Sequence, residues 1–142
     1  MDTRLTILTL AMRIAFGLMA TLAGLDKFFN ILADWEGYVA PLAASLLPFS
    51  TATFMMIVGI VEIAVGITIL GVRPALGAYV AAVWLTLVSV NLLMGGFLYI
   101  AVRDLVLALS AVTFGRLYEL SRPAVRTVGL GMSSGHAASP VR

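Results

Sequence analysis

A chain of 142 residues in which 61% are hydrophobic and only 11% charged lies far from the soluble average, where about a quarter of residues are charged. A soluble domain of this size cannot hide so much apolar surface, whereas segments of about 20 apolar residues cross a bilayer core of roughly 30 Å. The net charge of +2 does not indicate a nucleic-acid partner, because the cations punctuate apolar spans instead of forming a stripe or an arm.

In chain order, the first apolar span is predicted over residues 5–29. Arg4, the following apolar run and small residues near Ala23 have the outline of a signal peptide. Arg13 interrupts that run, so an uncleaved first span is expected. The connection over residues 30–50 carries Asp34, Trp35, Glu36, Tyr38, Pro41 and Pro48. A second span is predicted over 51–70, followed by a tight turn, Gly71-Val72-Arg73-Pro74. A third covers 75–94, Gly95-Gly96 turns the chain, and a fourth covers 102–120. From residue 121 the composition turns to Gly, Ser, Ala and Pro, which reads as a tail.

Backbone amides must be satisfied within lipid, so the spans are helices. The expected fold is all-α, a transmembrane four-helix bundle over residues 1–121 with a flexible cytoplasmic tail over 122–142. Arg4, Arg73, Arg116, Arg122, Arg126 and Arg142 fall on one side, while the first connection has Asp34 and Glu36 and no Lys or Arg. By the positive-inside rule both termini are cytoplasmic, in a multi-pass protein of the inner or plasma membrane. Tyr38, Val39, Leu42, Leu46 and Leu47 share a helical face near Trp35. The connection is therefore expected to form a short interfacial helix between spans 1 and 2, or alternatively a lid over a cavity.

Charges within spans are costly, roughly 2.5–3.5 kcal/mol each when unpaired, and serve as default candidates for function. Arg13 lies about nine residues from Asp2–Arg4, and Glu62 about nine before Gly71. At about 1.5 Å per residue both sit roughly 13 Å from the same side. Arg13, Gly17, Ala20, Gly24 and Lys27 draw a seam along span 1, and Gly59, Glu62 and Gly66 draw another on span 2. Small residues allow close helix approach in lipid, so Arg13 and Glu62 are expected to pair, either as a register-fixing ion pair or as a proton- or ligand-contacting site.

A second charged layer comprises Asp26 and Lys27 at the end of span 1 with Arg103 and Asp104 opening span 4. Lys27–Asp104 is the candidate pair there. The alternatives are a snorkelling Lys27 and an Asp104 favoured by the first-turn helix dipole. Asn91 in span 3, on a face with Trp84, is expected to make an inter-helix hydrogen bond.

The lone histidine, His136, is in the tail, and no cysteine is present. No metal site, haem ligation or dithiol exchange is expected from these residues. The methionines read as packing, and the isolated glycines form no phosphate loop.

Arg13, the run Gly24-Leu25-Asp26-Lys27-Phe28, Glu62 with Gly66, and Arg103-Asp104-Leu105 together give a chain that resembles the DoxX/DoxD-like family of small four-span membrane proteins, over residues 5–120. The resemblance implies a bundle associated with membrane redox systems, the family name deriving from subunits of a thiosulfate:quinone oxidoreductase. It marks Arg13, Lys27, Glu62 and Asp104 as family-like positions and assigns no catalytic residue. Three functions follow as expectations. The first is a non-catalytic accessory subunit of a larger quinone-linked redox complex, with lipid and membrane-protein partners or a second copy of itself, no cofactor of its own and no nucleic acid. The second is a quinone-interacting oxidoreductase subunit, and the third a path for a small solute or protons.

Overall fold

The computed structural model describes residues 3–122. The expected tail beyond Arg122, with Arg126, His136 and Arg142, lies outside the described residues. Four helices are long and apolar enough to cross a membrane, and no strand occurs among the described residues. They are α1 (Thr3–Asp26), α3 (Thr51–Ile67, continued to Val72), α4 (Pro74–Met94) and α5 (Leu98–Leu120). The short helix α2 (Pro41–Leu46) lies in the first connection.

Local chemistry explains where these helices start and stop. Ser50 caps α3, its hydroxyl accepting from the Thr53 amide at 3.2 Å, a standard N-cap geometry. Helix α3 runs past its expected end as a π-helical segment, Thr68–Val72, closed by the Arg73 amide donating to the Thr68 carbonyl at 3.0 Å. Only Arg73 then separates it from α4, which begins at Pro74, where proline's missing amide costs nothing.

After α4, Phe97 N–H reaches the Leu92 carbonyl at 2.9 Å and Gly96 N–H the Leu93 carbonyl at 3.1 Å. This Schellman closure requires the left-handed φ of +83° at Gly96. Because the closure is so short, α5 begins at Leu98, four residues before the expected start. Asp104 is consequently in the second turn of α5 and buried, which removes the first-turn dipole explanation.

The helices pack as two pairs. In the α1–α3 pair the predicted glycine seams meet: a Cβ on Gly24 would stand 2.6 Å from the Gly59 carbonyl oxygen, and one on Gly66 would stand 2.8 Å from that of Gly17. Such backbone contact is the packing that drives association in lipid. The α4–α5 pair uses buried alanines, including Ala78, Ala81, Ala108 and Ala111. The two pairs share a core in which Phe16 of α1 stacks on Phe114 of α5, centroids 6.0 Å apart, beside Val65, Ile69 and Ala82. Away from this core, leucine, isoleucine and valine side chains of all four long helices stand exposed.

The first connection is not one amphipathic helix. Pro41 disfavours helical geometry at the residue before it, and Val39 and Ala40 are extended between a 3₁₀ turn (Trp35–Tyr38) and α2. Val39 and Ala40 are nonetheless buried. Val39 packs with Met55 and Val58 of α3 beside Trp35 and Trp84, so the connection folds over one end of the bundle.

Candidate functional site

The polar centre of the protein lies beneath that connection. Lys27 immediately follows α1 and is 7% exposed. Its Nζ donates to Glu62 Oε2 at 2.5 Å and to the Ala23 carbonyl at 3.5 Å, and lies 3.8 Å from the centre of the Trp35 ring. The other Glu62 oxygen, Oε1, accepts from the Trp84 indole N–H at 3.3 Å.

Asp26 organises the roof. One of its carboxylate oxygens accepts from the amides of Ile31 and Leu32, at 3.0 and 3.1 Å, and the other from Leu32 and from the Trp35 indole, at 3.0 and 2.7 Å. The turn is completed by Asn30 at φ 51°, a left-handed conformation that asparagine tolerates. Asp26 thus ties down the loop that places Trp35 over Lys27. The cation–π contact is of a kind worth roughly 0.5–2 kcal/mol.

Asn91 holds the next stretch. Its Oδ1 accepts from the Ala40 amide at 3.0 Å, and its Nδ2 donates to the Tyr38 carbonyl at 2.8 Å. The expected helix-to-helix bond is therefore a clamp from α4 onto the connection. Tyr38 then meets Phe97 edge-on, centroids 5.1 Å apart.

The expected Arg13–Glu62 pair is not formed. Arg13 Nε donates to the Ile69 carbonyl at 3.1 Å, and its Nη2 donates to the Leu70 carbonyl. It caps the C-terminal end of the second span, where unsatisfied carbonyls and the negative end of the helix dipole favour a cation. The depth estimate failed because it counted from span ends, whereas the glycine contacts set the register. With Gly17 against Gly66 and Gly24 against Gly59, Arg13 is level with Leu70. Leu70 is eight residues beyond Glu62, or about 12 Å along the helix.

Side-chain direction adds to the mismatch. Helical side chains lean toward their own N-terminus. In this antiparallel pair Arg13 leans away from Glu62, whereas Lys27 and Glu62 lean toward one another and meet. The candidate Lys27–Asp104 pair is replaced too: Asp104 Oδ1 accepts from Arg103 Nε at 3.0 Å, with Asp104 buried and the Arg103 side chain 59% exposed.

Of the sequence-derived site residues, Asp26, Lys27 and Glu62 converge, Asn91 buttresses the roof, and Arg13, Arg103 and Asp104 have other partners. The two indoles were absent from the expected site. Seam register combined with side-chain lean would have found Lys27–Glu62, but no sequence signal places Trp35, which depends on the turn at Asn30.

Chemically, the cluster is an ammonium–carboxylate pair enclosed by two indoles. Trp35 stands against the ammonium and Trp84 against the carboxylate, and the Glu62 side chain keeps 14% exposure. Among the described residues no three His, Asp or Glu side chains gather into a potential metal site. Comparison of the chain with family models, curated proteins and solved structures finds no match.

Proposed function

We propose that this chain is a non-catalytic accessory subunit of a larger, quinone-linked membrane redox complex, held in the inner or plasma membrane with both termini cytoplasmic. The observation that carries this reading is the use made of the charged residues inside the helices. Arg13 caps a helix end, Lys27 and Glu62 neutralise one another, and Asp26 ties down a loop. Each of these four charges has an architectural task within the chain, and the apolar outer faces of the helices are the surface that meets lipid and protein partners.

The DoxX-like resemblance supplies the redox context. Three of its quoted positions, Asp26, Lys27 and Glu62, are the residues that build and fill the roofed pair. Orientation is supported by Arg4, Arg73, Arg116 and Arg122 at one end of the helices and Asp34 and Glu36 at the other. An interfacial position for the first connection is supported by its outward apolar side chains, with Ile31, Leu32 and Leu46 each more than 70% exposed.

A second reading, a quinone-contacting subunit, is favoured by one observation: the largely buried Lys27–Glu62 pair has an aromatic side chain against each member, Trp35 on Lys27 and Trp84 on Glu62. Purification in gentle detergent, with identification of every co-purifying chain and lipid-soluble molecule, separates the two. Stoichiometric membrane redox subunits support the accessory role. A chain recovered alone with bound quinone overturns it in favour of the second reading.

A further inference from the structure

A cavity of about 380 Å³ opens at the other end of the bundle from the Lys27–Glu62 pair, between the first turn of α4 and the last turn of α5. Arg73 and Arg122 line it, with Tyr79, Tyr118 and Glu119. Glu119 is already engaged: its Oε2 accepts from the Tyr79 hydroxyl at 3.0 Å and from Arg116 at 3.4 Å. Arg122 is held in place, donating to the Tyr118 hydroxyl at 2.6 Å with its guanidinium 4.9 Å from that ring's centre. The Arg73 side chain has no hydrogen bond or ion pair among the described residues. After the Arg116–Glu119 pair is set aside, the two arginines that line the cavity, Arg73 and Arg122, have no carboxylate partner among the described residues.

The lining is also amphiphilic. Val72 and Leu76 form part of the same wall, and both are exposed. Arg73 provides no side-chain cap for α4, so first-turn amides add to the positive potential. Free phosphate has no use for an apolar wall, whereas a phospholipid does.

We propose that this cavity is a binding site for an anionic phospholipid, its phosphate held between Arg73 and Arg122 and its glycerol and upper acyl carbons against Val72 and Leu76. Basic pockets between transmembrane helices at the membrane surface are suited to such headgroups. The site requires only that the helices span a bilayer. It depends neither on the accessory role nor on which side the end faces.

The test is native mass spectrometry of the purified full chain offered equal amounts of phosphatidylglycerol and phosphatidylcholine with matched acyl chains. The wild type is expected to retain phosphatidylglycerol preferentially. With each arginine near the surface contributing about 1 kcal/mol, Arg73→Gln should lower the preference about fivefold and Arg73→Gln/Arg122→Gln roughly twenty-five-fold. Arg103→Gln, at the other end of α5, should leave it unchanged. The Arg73 side chain makes no hydrogen bond or ion pair among the described residues, so its single variant is expected to fold as the wild type does and to read binding. No preference in the wild type, a preference that survives the double substitution, or an equal loss in Arg103→Gln overturns the site. Displacement of the lipid by millimolar inorganic phosphate overturns the lipid assignment.

Discussion

Removing one member of the Lys27–Glu62 pair should be among the most damaging single changes in the protein. The side chains are 5% and 14% exposed. Breaking a buried pair by deleting one partner costs roughly 3–5 kcal/mol, much of it from the charge left behind. In Glu62→Gln, Lys27 keeps the Ala23 carbonyl and the Trp35 ring, so a loss near 3 kcal/mol is expected. In Lys27→Met, Glu62 keeps only the Trp84 indole, and the loss should be at least as large. The double substitution leaves no orphan charge and should cost much less than the sum, giving a coupling of about 2–3 kcal/mol. The assay is equilibrium unfolding in mild detergent micelles, read by tryptophan fluorescence, since the chain's only two tryptophans are Trp35 and Trp84 and both belong to the cluster. Arg13→Met with Glu62→Gln serves as the contrast. Those residues are offset by about 12 Å, so their losses should simply add. Additive losses for Lys27→Met and Glu62→Gln, or strong coupling between Arg13 and Glu62, would refute the assigned pairing.

Further expectations are independent of that pair. Gly59→Ala should destabilise the α1–α3 contact by roughly 1–3 kcal/mol in the same assay, because its methyl group would stand 2.6 Å from the Gly24 carbonyl oxygen. Gly71→Ala, with open space around it, should change stability little, and equal effects at the two positions would contradict the packing. Arg13→Met removes two charge-assisted bonds to carbonyls and should cost about 2–5 kcal/mol, a loss that Arg13→Lys should reverse only in part. Asn91→Leu should release the connection, with amide hydrogen exchange at Ala40 accelerating at least tenfold while the α3 amides are unaffected. Single cysteines at Ser45 and Ser133 of this cysteine-free chain should label from outside and from the cytoplasm respectively, and labelling of Ser133→Cys by an impermeant outside reagent would reverse the proposed topology.

The helices and their tightest interface were legible because both depend on patterns local to the chain. Apolar length alone located four spans, and the spacing of Gly17, Gly24, Gly59 and Gly66 identified the two seams that meet. Pairing of the charges was not legible from distance to the span ends, since the antiparallel register is decided by which glycines touch. Direction mattered as much: Arg13 leans toward the carbonyls of Ile69 and Leu70, and Lys27 leans back into the bundle. The roof lay beyond local pattern altogether. Trp35 reaches Lys27 because the Asp26 carboxylate gathers the amides of Ile31 and Leu32 and Asn30 turns left-handed, a geometry with no periodic signature. Asn91 illustrates a partial success. Its need for a buried partner was evident, yet the partner proved to be the backbone of Tyr38 and Ala40.

Turnover of the co-purified complex carrying Lys27→Met/Glu62→Gln, normalised to the amount of this chain assembled in it, tests the proposed accessory role most directly. If the pair serves architecture, the charge-free double variant assembles and the complex keeps turnover within about twofold of wild type, an effect below roughly 0.5 kcal/mol in activation free energy. Normal assembly with turnover lost by a hundredfold or more would contradict that role and assign Lys27 and Glu62 to the chemistry itself.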